Sequence, residues 1–180
     1  MALHFSKEEF EKRKSKTLNS MKELNLDALL MFRQESMFWL TGYDTFGYVF
    51  FQTLILDQKG NVILLTRAPD LRQAQNTSNI KDIRIWVDKD NSNPTDELKI
   101  ILNELDLKGK KIGIEYEAYG MTGRNALKLN KSLDNYCDVE DQSELITKHR
   151  VIKSNEEIVY VKKAAELADK ALNEAWKYTK

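Results

Sequence analysis

The run Tyr48–Leu56, Y-V-F-F-Q-T-L-I-L, constrains the fold of this chain more than any other stretch. Its apolar side chains fall on both alternating faces. Val49, Phe51 and Ile55 share one face; Phe50, Leu54 and Leu56 share the other. A strand apolar on both faces is covered above and below, so the run predicts a central strand in a layered α/β domain. Upstream, the aromatic-rich segment Met37-Phe38-Trp39-Leu40 breaks at Thr41-Gly42-Tyr43-Asp44. The loop that follows carries Tyr43, Asp44, Phe46 and Tyr48 with Gly42 and Gly47. Aromatic and acidic side chains on a glycine-hinged loop at the end of a buried strand mark a ligand-holding position in α/β proteins. The same pattern also fits a tight turn whose aromatics pack down into the core.

The rest of the pattern builds around that strand. Ser6 with Glu9 reads as a capping box for a helix to about Leu24, with Phe10, Leu18, Met21 and Leu24 on one face. Ala28–Phe32 is a short apolar strand. The turn at Asp57-Gln58-Lys59-Gly60-Asn61 predicts antiparallel pairing of Tyr48–Leu56 with Val62–Thr66. Ala68-Pro69-Asp70 opens a short helix over about Asp70–Gln75, and Asp82–Val87 alternates as a strand. Asn93-Pro94 starts a helix with Leu98, Ile101, Leu102 and Leu105 facing inward. A strand at Lys111–Glu115, a helix from Met121-Thr122 to about Leu133, a strand at Tyr136–Val139 and a short helix at Ser143–His149 complete the count. About six strands with helices between most of them predict a three-layer α/β domain with a mixed sheet flanked by helices, over residues 1–150.

Residues 151–180 differ. Ser154 with Glu157 forms a second capping box, and a helix of about 25 residues, roughly 37 Å long, is expected from Asn155 onward. Ile158, Val161, Ala165, Ala168, Leu172, Ala175 and Trp176 recur at spacings of three and four, an apolar stripe with no later segment to cover it.

Chemistry is sparse. Lys+Arg and Asp+Glu each number 28, and no basic stripe stands out, which argues against nucleic acid as a partner. One cysteine, Cys137, allows no internal disulfide and fits a reducing compartment. No apolar run spans a bilayer and the start lacks a signal-peptide core, so a cytoplasmic protein without a membrane partner is expected. Only His4 and His149 are present, with no H-E-x-x-H and no paired cysteine, so no self-contained metal site is expected. Gly42-x-x-x-x-Gly47 continues into Tyr48-Val49 rather than Lys and Ser/Thr, which excludes a phosphate loop. Cys137 reads as a structural thiol. Asp44 and Asp70 read as turn or cap residues before an acid–base pair, and Arg67 and Arg72 as a solvated face before a carboxylate fork. No catalytic residue is assigned; Tyr43, Asp44, Phe46 and Tyr48 are the candidate binding set.

Leu40-Thr41-Gly42-Tyr43, followed at a distance by Arg150-Val-Ile-Lys153-Ser154-x-Glu156-Glu157-Ile158 leading into an alanine-rich helix, resembles the creatinase/prolidase/Xaa-Pro aminopeptidase family. Ile112-Gly113-Ile114-Glu115 and the pair Asp141-x-Ser143 resemble further pieces of that family's N-terminal domain. The second pattern is similar to the junction between that domain and the "pita-bread" catalytic domain. The resemblance implies a non-catalytic N-terminal domain, with residues 151–180 as the junction and first helix of a catalytic domain. In the family two Asp, one His and two Glu hold a pair of divalent metals in that later domain, and no position here matches them. The resemblance also implies a homodimer, and a loop Tyr43–Tyr48 that helps bind a small polar or peptide-like substrate. Leu40-Thr41-Gly42-Tyr43-Asp44, Gln52 and Arg67-x-x-Asp70 are similar to the ectoine hydrolase branch. Phe50 stands where creatinase carries an arginine, which puts creatine in doubt as a substrate. A freestanding interaction module docking through its terminal helix is the rival expectation.

Overall fold

A computed structural model describes residues 3–179. The chain divides into two compact units, one through His149 and one from Arg150. The first holds a six-stranded mixed sheet in the order β4-β3-β2-β1-β5-β6. Its strands are β1 (Ala28–Met31), β2 (Thr53–Asp57), β3 (Val62–Arg67), β4 (Asp82–Trp86), β5 (Lys111–Ile114) and β6 (Asp138–Asp141). The hairpin β2–β3 is antiparallel with Ile55 opposite Ile63, and β2 is also antiparallel to β1. The remaining pairings are parallel. The carboxyl ends of β1, β3, β4, β5 and β6 and the start of β2 therefore share one edge of the sheet.

The alternation of side chains along the inner strands produces two cores. One face carries Ala28, Leu30, Ile55, Ile63 and Leu65, and is covered by Leu98, Ile101 and Leu102 of α4 (Pro94–Glu104) and Leu129 and Leu133 of α5 (Gly123–Leu133). The other carries Leu29, Met31, Leu54, Leu56 and Leu64. It is covered from α1 (Lys7–Glu23), α2 (Gln34–Thr41), α3 (Leu71–Thr77) and α6 (Leu145–Val151) by Met21, Met37, Trp39, Leu40, Ala74, Leu145 and Ile146. This is the expected three-layer arrangement.

Three expectations need correction. The central strand is Thr53–Asp57, not Tyr48–Leu56: Phe50 N–H closes a turn on the Gly47 carbonyl at 2.9 Å, and Tyr48, Val49 and Phe50 are exposed. The aromatic-rich segment Met37–Leu40 lies in helix α2. The last strand begins at Asp138 rather than Tyr136, because Tyr136 turns inward to the first core. On α1 the expected inward face loses Leu24, which is exposed, while Leu18 and, at the end of α4, Leu105 are partly buried and pack on the cores.

The second unit is helical. Ser154 Oγ accepts from Glu157 N–H at 3.2 Å while the Glu157 carboxylate accepts from Ser154 N–H at 2.8 Å. This capping box opens α7 (Asn155–Tyr178), in which none of the described residues is buried. No helix among the described residues is long and apolar enough to cross a membrane.

Candidate functional site

The loop between α2 and β2 emerges at the edge where the parallel strands end, the usual position for ligands on such sheets. Gly42 ends α2 with φ +80°, a left-handed cap that turns the chain sharply. Beneath the loop lies a polar floor. The Tyr43 hydroxyl donates to Gln52 Oε1 at 2.9 Å and lies 3.1 Å from Thr45 Oγ1. Thr66 Oγ1 donates to the same Gln52 oxygen at 3.1 Å, and Gly47 N–H donates to Thr45 Oγ1 at 2.9 Å. Buried polar groups satisfied in this way fix one conformation, because any slip leaves a donor or acceptor stranded. Burial raises the Tyr43 phenol above its ordinary range, so it stays a neutral donor.

The four expected binding residues separate in this geometry. Tyr43 is wholly buried and props the loop from below. Asp44 is exposed, its N–H held by Thr77 Oγ1 at 3.2 Å. Phe46 is 87% exposed. Tyr48 is exposed and meets Tyr119 edge-on, with ring centres 5.7 Å apart. Phe46, Tyr48, Phe50 and Tyr119, with the aliphatic Val49, are thus exposed, a largely aromatic rim of a kind that a protein surface rarely carries without a use. Gly120 allows the rim to close, since a Cβ there would stand 2.4 Å from the Phe50 carbonyl oxygen.

Two residues gain roles that local pattern did not assign. Arg67 pairs with Asp70 at 3.0 Å and stacks on Phe50, whereas Arg72 is exposed. Glu115 is fully buried; its carboxylate accepts from Phe32 N–H and Arg33 N–H, both at 3.0 Å, and from the Ser36 hydroxyl at 2.6 Å. Burial pushes its pKa up to about 7 against the opposing hydrogen bonds. The Glu115 contacts and the stacking of Arg67 on Phe50 are long-range; the Arg67–Asp70 pair is local, three residues apart.

Metal chemistry finds no support in these side chains. No group of three or more His, Cys, Asp or Glu among the described residues could hold an ion. His4 lies beside Phe38, and His149 stacks on Trp39 with its pKa lowered by burial. Burial also pushes the Cys137 thiol up to about 11, the opposite of what a nucleophile needs.

A family model described as the Creatinase/Prolidase N-terminal domain matches residues 13–152. An uncharacterized hydrolase/peptidase y4tM of Sinorhizobium fredii is 27% identical over 96% of this chain and 46% of its own. The ectoine hydrolase of Halomonas elongata is 26% identical over 93% of this chain and 43% of its own. The chain therefore spans less than half the length of these curated relatives. The crystal structure of a dipeptidase from Pyrococcus horikoshii OT3 superposes with a TM-score of 0.75 at 24% identity, covering 93% of this chain and 44% of that one.

Proposed function

Because the chain belongs to the Creatinase/Prolidase N-terminal domain family, we propose that it is the non-catalytic N-terminal domain of a hydrolase of the Xaa-Pro peptidase/creatinase type. Its partners are a catalytic domain, for which α7 is the first helix, and a second copy in a homodimer. A divalent metal pair would belong to that catalytic domain. The side chains described here do not fit one, and no chemical step runs through them. The loop contributes to the pocket for a small polar or peptide-like substrate. Asp44, Phe46 and Tyr48 line it, and Tyr43 holds them from beneath.

The exposed aromatic rim at the strand ends carries this reading. Five large side chains stand exposed around a loop that a satisfied polar floor fixes, and they gain by covering a ligand at the edge where such sheets bind them. A cytoplasmic location is part of the proposal. The test is Tyr48→Ala in the full product of the gene. Hydrolysis, as kcat/KM, is expected to fall by about tenfold or more while the thermal midpoint is kept. Unchanged kinetics would remove the pocket role. Reading the gene beyond codon 180 tests the rest. A frame that encodes a metal-binding catalytic domain supports the proposal, and a stop there favours a module that docks on another protein through α7.

A further inference from the structure

The exposed rim is assembled from two stretches of chain, and a buried carboxylate joins them at their roots. Phe46 and Tyr48 follow the end of α2; Tyr119 belongs to the connection 115–122 that leaves β5. Glu115 opens that connection, and its N–H donates to the Leu30 carbonyl at 3.0 Å, one step beyond the β1–β5 ladder. Its side chain then reaches the start of α2. Oε2 accepts from Phe32 N–H and Arg33 N–H, both at 3.0 Å, and Oε1 accepts from the Ser36 hydroxyl at 2.6 Å. Arg33 is the N-cap of α2 and makes no side-chain cap hydrogen bond, so Glu115 fills the place of a local Ser or Asp. The carboxylate also faces the positive end of the helix. Glu115 and Ser36 are both 0% exposed, so these bonds are made out of reach of bulk water. Arg33 returns the link: its guanidinium donates to the Glu117 carbonyl and to the Glu117 carboxylate, each at 2.9 Å.

From this anchor α2 runs eight residues, about 12 Å, to the turn at Gly42. Met37, Trp39 and Leu40 pack the helix on the sheet, but apolar contact is non-directional and does not choose a position along the helix axis. Hydrogen bonds to fixed partners do. A shift at the start of α2 therefore reaches Tyr43 and the rim beyond it.

We propose that Glu115 is a positioning residue of the rim: its carboxylate ties the start of α2 to the exit of β5, so that Tyr48 and Tyr119 meet over one place on the sheet edge. The assignment rests on the rim lining the substrate pocket, as proposed above. It adds a residue that touches no substrate and governs how tightly substrate is held.

The test uses the full gene product with Gly-Pro as substrate, in a cycle of Glu115 against Tyr48. Glu115→Ala is expected to raise KM about tenfold with kcat kept within about twofold, and Tyr48→Ala added to it should cost no more than about twofold further. Glu115→Gln keeps an acceptor for the two amides and a donor for Ser36. It should restore the wild-type KM and, with it, the full penalty of Tyr48→Ala. Additive penalties, a fall in kcat alone, or a failure of the Gln variant to rescue overturn the assignment. If Glu115→Ala does not fold, Ser36→Ala, which cuts only the Oε1 bond, replaces it. There the Tyr48→Ala penalty should shrink by about threefold or more, and an undiminished penalty overturns the assignment. If Gly-Pro is not hydrolysed, or Tyr48→Ala is silent in otherwise wild-type protein, the pocket reading fails separately and amide exchange decides on Glu115. Exchange about tenfold faster over residues 43–48 in the same variant, with the wild-type rate in Glu115→Gln, supports it. Loop amides that keep the wild-type rate, or that quicken together with the β2–β3 hairpin, overturn it.

Discussion

At the scale of single residues, the contacts that shape the loop edge are steric and protonic, and each gives a measurable consequence. Gly120 is a steric case: a Cβ would press on the Phe50 carbonyl oxygen at 2.4 Å, and backbone cannot step aside as a side-chain tip can. Gly120→Ala is expected to destabilise by about 1–3 kcal/mol, read as a lower urea midpoint with unchanged slope. Glu115 is the protonic case. Its folded pKa of about 7 stands above the ordinary value of 4.5, so the folded chain binds the extra proton. Stability attached to Glu115 is fully present below about pH 4.5 and is lost as pH rises through 7, by roughly 3 kcal/mol over that window. Glu115→Gln copies the protonated form: its amide oxygen accepts from Phe32 and Arg33, and its amide N–H₂ donates to Ser36. Denaturant midpoints of that variant should lose this pH dependence and exceed wild type above pH 7. A slope that persists would assign the dependence to another group.

At the scale of elements, the cap of α7 is open to the same kind of test. Ser154→Ala removes the hydroxyl that takes Glu157 N–H, and is expected to cost about 1 kcal/mol of local stability. Faster amide exchange confined to the first turn would register it. This helix was legible in the sequence because its start signal and its stripe are both local, as were α1, α4, α5 and the β2–β3 hairpin. Helix α2 was not. Its N-cap, Arg33, makes no side-chain cap hydrogen bond, and its exit is an unbroken apolar run without a helical period. The group that anchors its start is Glu115, 79 residues beyond Ser36. Residues 48–50 failed for a related reason. Their apolar pattern reads as strand, but Gly47 on Asp70 and Arg67 on Phe50 hold them out as a turn. Of the four candidate binding residues, all lie on one loop, at the edge where the parallel strands end. The sequence could not separate buried Tyr43 from exposed Phe46, because that choice depends on Gln52 at the end of the loop and on Thr66 of β3.

At the scale of the whole molecule, the two units differ in what they bury. Among the described residues, the buried ones all lie at or before Ile146, so the first unit holds both cores. A chain ending at Ile152 should keep its thermal midpoint within about 2 °C, since removing exposed surface changes stability by a few tenths of a kcal/mol. The second unit has the opposite character. Ile158, Val161, Leu172 and Trp176 are exposed along α7, and together they make a stripe that water does not favour. In the 180-residue chain that stripe is expected to find a second copy of itself, giving a sedimentation coefficient that rises with concentration. The chain ending at Ile152 should sediment independently of concentration, because the surface responsible has gone. The full gene product then discriminates. If α7 opens a catalytic domain, the stripe is covered there, and association through it disappears even though every residue of α7 is present. Association that survives Ile158→Glu and Trp176→Glu in the 180-residue chain would move the interface elsewhere and leave α7 without an assigned cover.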